Sequence, residues 1–118
     1  MLDRAFALIA GDGGPPHWLG PYLDAARRTA SARLAGQPLA AALNAAGPVR
    51  AGERVMRFVP QADLPDGEAY EAFIARTHQV PTRDHPHDLL NGLVWSRFPA
   101  LKSHLNRCQA DEIARLGI

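Results

Sequence analysis

Apolar residues fall at helical spacing through most of this chain and alternate in one short stretch. Leu19, Tyr22, Leu23, Ala26, Ala30 and Leu34 lie near one face of a helix that Pro21 suits as a first residue and Gly36 stops. Pro38 opens a shorter helix, PLAAALNAA, ended by Gly47-Pro48. In ERVMRFVP, Val55, Arg57 and Val59 alternate with Met56 and Phe58, which predicts a strand largely buried on both faces. Such a strand must pair with another segment or another chain to satisfy its backbone. Asp66 suits the cap of a helix from about Gly67 to Thr77 with Tyr70, Phe73 and Ile74 as its apolar stripe. Pro81 enforces extended geometry before it, and Pro86 bars helix at His85 while suiting the start of the next helix. Pro99 starts a further helix, and a last one closes near Gly117. Residues 1–18, with the loop GDGGPP at 11–16, read as a loosely ordered N-terminal segment. The pattern predicts a mainly α fold, a small helical domain spanning 1–118 with one or two short β-strands and a central buried helix at about 86–98.

Composition narrows the class. At 118 residues with 47% hydrophobic and 21% charged side chains, the chain has enough apolar surface for one core. A net charge of +1 makes nucleic acid an unlikely partner, although Arg27, Arg28, Arg33, Arg50, Arg54 and Arg57 crowd one region against Glu53 alone. With a single cysteine, Cys108, no internal disulfide forms, and Cys108 reads as a small packing residue in a reducing, cytoplasmic setting. No apolar run is long enough to span a bilayer.

The densest chemistry lies at residues 81–106, PTRDHPHDLLNGLVWSRFPALKSHLN. At about 100° per residue, His87 and Asn91 fall between apolar neighbours on the helix after Pro86, so both are expected to be buried. Asp88, Gly92 and Ser96 form the arc without large apolar groups, where Gly92 lets another backbone approach. Arg97 projects into the apolar arc and is expected to snorkel or to find a carboxylate such as Asp84. Two readings follow. In the first, hydrolase-like or ligand-binding, His87 is a general base oriented by Asp84 or Asp88, with Thr82, Arg83, Asn91 and Trp95 binding an anion or small molecule. In the second, the same residues fasten a loop to the central helix in a structural or interaction module. His78, His85, His87, His104 and Cys108 match no specific zinc spacing, so no metal and no cofactor is expected. Lys102, His104 and Asn106 read as exposed or capping residues.

The pattern PTRD-x-x-HD-x-x-N-x-L-x-W-x-x-FP-x-x-K-x-x-LN from Pro81 to Asn106, preceded by RFVPQADLPDGEAYEAFI from Arg57 to Ile74, resembles the bacterial family catalogued as domain of unknown function 3025. The resemblance covers about Arg54 to Ile113 and carries no established activity. Members are typically longer and add a strand-bearing region. It therefore implies a shortened relative or the first part of a domain, with strand 54–60 lacking its usual neighbour and self-association as a remedy.

Overall fold

The structure, a computed structural model, describes residues 2–10 and 17–117. Six α-helices surround a small sheet: α1 (Leu2–Ala10), α2 (Leu23–Leu34), α3 (Leu39–Ala45), α4 (Tyr70–Thr77), α5 (Pro86–Arg97) and α6 (Pro99–Leu116), with β1 (Val49–Ala51), β2 (Arg54–Pro60) and β3 (Gln79–Thr82). The fold is thus mainly α with a few short strands, as the pattern predicts. The loop expected at residues 11–16 lies outside the described residues. Leu2–Ala10 forms a helix with Leu2 and Phe6 buried in the core.

Strand β2 organises the sheet. It pairs antiparallel with β1 through a two-residue turn, Gly52-Glu53, where Gly52 takes φ 63. On its other edge it pairs parallel with β3, from Arg57 opposite Gln79 to Pro60 opposite Thr82, and α4 makes the crossover between them. Both edges are therefore occupied from within the chain, and the expected need for a second copy to complete this strand falls away. Strand β1 reaches only as far as Met56. Beyond it the Asn44 side chain continues the ladder: its Nδ2 donates to Phe58 O at 2.8 Å and its Oδ1 accepts from Phe58 N at 2.9 Å.

Burial along β2 alternates strictly over its first five residues. Arg54, Met56 and Phe58 point inward, while Val55 and Arg57 are exposed. Over this stretch β2 is buried on one side only, contrary to the two-sided expectation.

Helix α2 packs through small residues, Ala26 and Thr29, and Thr29 returns its hydroxyl to Ala25 O at 2.7 Å. Leu34, expected on the apolar stripe, is 86% exposed. Pro21 lies inside a 3₁₀ turn (His17–Tyr22) that precedes α2. Helix α4 starts at Tyr70 with no side-chain cap, so Asp66 does not serve as one. Among the described residues no helix is long and apolar enough to cross a membrane.

Helix α5 runs from Pro86 as predicted, but its buried side is not the expected one. Leu89, Gly92, Leu93 and Trp95 are buried, whereas His87, Leu90, Arg97 and Phe98 are exposed. The buried arc is centred on Gly92 and Ser96. These small side chains allow close approach, and the larger Leu89, Leu93 and Trp95 close around the contact. A Cβ on Gly92 would lie 2.5 Å from Leu43 Cδ1, so the group that approaches is the Leu43 side chain of α3 rather than a backbone.

Candidate functional site

Residues 81–91 pass from β3 into α5, and almost every polar group among them has a protein partner. Thr82 is buried and donates its hydroxyl to Val80 O at 2.9 Å. The Arg83 backbone N–H donates to Asp88 Oδ2 at 2.6 Å, and its guanidinium adds a fork, Nε to Oδ2 at 3.1 Å and Nη2 to Oδ1 at 2.8 Å. Asp84 turns the other way: its Oδ1 accepts from Leu39 N at 2.8 Å, and Oδ2 lies 3.4 Å from Arg33 Nη1. It thereby supplies an acceptor at the start of α3, where a helix has none of its own. His85 is extended and caps α5, its Nδ1 accepting from His87 N at 3.1 Å. Asn91 Oδ1 accepts from Lys102 Nζ at 2.8 Å, and its Nδ2 donates to Tyr70 Oη at 3.3 Å.

Four of the seven residues singled out from sequence, Arg83, His87, Asp88 and Asn91, line one open cleft of about 380 Å³ together with Gln61, Tyr70 and Glu71. The other three do not line it. Asp84 faces α3, Thr82 is buried in the sheet, and Trp95 is 1% exposed in the core. Trp95 carries the Lys102 ammonium over its ring at 5.6 Å, away from the cleft itself. Sequence reasoning placed Tyr70 on an apolar stripe and passed over Gln61 and Glu71. The spacing of Tyr70 ahead of Phe73 and Ile74 was apparent, but only the α4 crossover brings its hydroxyl to α5.

His87 is exposed, contrary to the buried placement read from the wheel, and Asn91 is half-buried. Among the described residues the His87 imidazole has no hydrogen-bond partner. Both carboxylates that could orient it are engaged elsewhere. Burial pushes the Asp88 carboxyl up, but the Arg83 hydrogen bonds and charge outweigh it and hold Asp88 below the ordinary carboxylate range. The Tyr70 phenol is pushed up to about 12 by burial and then by the charges of Glu71 and Asp88, so it stays protonated and able to donate. Burial lowers the Lys102 ammonium despite the opposing charge of Glu71.

Elsewhere several polar residues depart from their expected roles. Arg97 stacks over Phe98 at 4.8 Å instead of reaching Asp84. Asn106 is 1% exposed rather than a surface residue, and Lys102 is half-buried. Cys108 is exposed, not packed, with its Sγ 3.7 Å from His104 Nε2. The arginine-rich region does not form one basic face, since Arg54 is buried and Arg33 is paired with Asp84. Among the described residues no three His, Cys, Asp or Glu side chains gather as a metal would require.

The model of a family described as "Protein of unknown function (DUF3025)" matches residues 56–118, more than half of the chain, and the chain belongs to that family. No curated protein and no solved structure matches it.

Proposed function

We propose, with membership of that family as the premise, that the protein is a non-catalytic binding module. Its signature segment acts as a clasp joining β3, α3 and α5, and the cleft beside the clasp holds a small ligand without turning it over. One observation carries this reading: Asp84 and Asp88, the two carboxylates a His87 base would need, are already committed to Leu39 with Arg33 and to Arg83. A histidine with no orienting acceptor lacks the fixed tautomer that general-base catalysis uses. The groups left free at the cleft among the described residues, the Gln61 amide, the Tyr70 O–H, the His87 ring and Glu71 Oε1, suit a ligand bearing hydroxyl or amide groups.

The test compares variants by denaturant unfolding. His87→Ala is expected to leave stability within about 0.5 kcal/mol, as for an exposed site away from special features. Asn91→Leu strands the half-buried Lys102 amine and is expected to cost about 1 to 2 kcal/mol. Ester, amide or phosphomonoester hydrolysis by the purified protein that disappears in His87→Ala would overturn the reading.

A further inference from the structure

A second cavity is built around a buried cation. Arg54, at the start of β2, is 6% exposed. Its Nη1 donates to Ser103 Oγ at 2.6 Å, and its Nη2 donates to Asn106 Oδ1 at 3.1 Å and to Ile74 O at 3.4 Å. Its Nε–H is buried with no acceptor. All these partners are neutral. Among the described residues no carboxylate stands within ion-pair distance of the guanidinium. Glu71 reaches it only through Asn106, whose Nδ2 donates to Glu71 Oε2 at 2.6 Å. A buried charge without a counterion is costly, and proteins retain one where a ligand supplies the opposite charge.

The surroundings make that charge larger. Arg54 lines a cavity of about 660 Å³ with His78, His104, Arg107, Gly52 and Glu53, and Glu53 is its one acidic side chain. The lining comes from three places: Arg54 on β2, the neutral His78 at the end of α4, and His104 and Arg107 on α6. Burial and then Arg107 lower the proton affinity of Arg54, while burial, Arg54 and Arg107 lower that of His78, so these groups sense one another. His78 is held at φ 58, and its N–H returns to Ile74 O at 2.8 Å. That left-handed turn is uncommon for a residue other than glycine. Gly52, Ala51 and Ala100 line the same cavity and add little bulk to it.

We infer that this cavity binds the phosphate group of a small phosphomonoester, with Arg54 as the buried counterion and Arg107 as the outer clamp. Phosphate offers oxygens to several donors at once and carries more than one negative charge near neutral pH, so it can face both arginines together. The volume exceeds what phosphate alone fills and leaves room for a small organic group. The site shares no lining residue with the cleft at His87.

The test is a titration of the whole ¹⁵N-labelled chain, followed by amide shifts at constant pH and ionic strength, with glycerol 3-phosphate, inorganic phosphate and acetate as separate probes. Saturable shifts are expected at Gly52, Arg54, His78, Ser103 and Arg107, with the ester binding at least as tightly as free phosphate and acetate not saturating. Arg107→Gln, at an exposed position, should weaken the ester roughly tenfold through loss of a charged contact without lowering ligand-free melting, since it removes a like charge from beside Arg54. The inference is overturned by the absence of saturation up to about 20 mM ester. It is equally overturned by acetate binding as well as the ester, by free phosphate binding more tightly than the ester, or by Arg107→Gln binding like the wild type.

Discussion

Gly92→Ala probes a close contact between α3 and α5. Alanine is favoured over glycine in a helix interior by about 1 kcal/mol, so on propensity alone the change stabilises α5. The new methyl would however stand 2.5 Å and 2.8 Å from the two Leu43 methyl carbons and 3.2 Å from Leu43 Cγ. Leu43 is 1% exposed and packed in the core, so its methyls have no open space to move into. Overpacking of this kind costs about 1 to 3 kcal/mol. The net expectation is a loss of up to about 2 kcal/mol, small because the two effects oppose each other. A double-mutant cycle separates them. Leu43→Ala alone should cost about 2 to 5 kcal/mol through its cavity. In that background Gly92→Ala should instead stabilise by about 1 kcal/mol, since the obstructing side chain is gone. Urea unfolding of the four proteins measures the coupling. If Gly92→Ala has the same effect in both backgrounds, the contact between α3 and α5 is not the one described.

Two further expectations concern pH. Tyr70 has a folded pKa of about 12 against an unfolded value near 10, so the unfolded chain gives up this proton first. Its contribution is complete below about pH 10 and is lost as pH rises toward 12, by ~2 kcal/mol, and Tyr70→Phe should remove that slope in urea unfolding. His78 is shifted the other way, by burial and by Arg54 and Arg107. Its neutral form is favoured in the fold, so stability holds above about pH 6.5 and declines below it until the folded group itself protonates. His78→Asn, which tolerates the same left-handed backbone, should flatten that decline; an unchanged profile would remove His78 as its cause.

Much of the fold could be read from proline and glycine. Pro81 and Pro86 bracket the extended residues before α5, and the run from Pro38 to Gly47 yields α3, because these residues restrict the backbone whatever surrounds them. The orientation of α5 could not be read the same way. A wheel weighted by side-chain size pointed Leu90 and Phe98 inward, whereas the helix docks by its small residues and leaves both exposed. Close approach at Gly92 depends on Leu43, about fifty residues earlier, and nothing local in sequence reports it. Arg54 was legible in part. It shares the phase of Met56 and Phe58 along β2, and the strict alternation would have placed it inside had the strand been read as one-sided. The partners of Asp84 lie on α2 and α3, and those of Asn91 on α4 and α6, so their roles emerge only in the folded chain.

The claim that the signature polar groups are fasteners is tested most directly by hydrogen exchange at the Leu39 amide. As the first residue of α3, Leu39 has no acceptor within its own helix, and Asp84 Oδ1 at 2.8 Å supplies one. The amide is expected to be protected in the wild type. Asp84→Ala should cost about 1 kcal/mol of stability, as loss of a cap does, and should release Leu39 well beyond the loss seen at Val80 in the core. A Leu39 amide that exchanges freely in the wild type, or at the same rate in Asp84→Ala, would contradict the clasp.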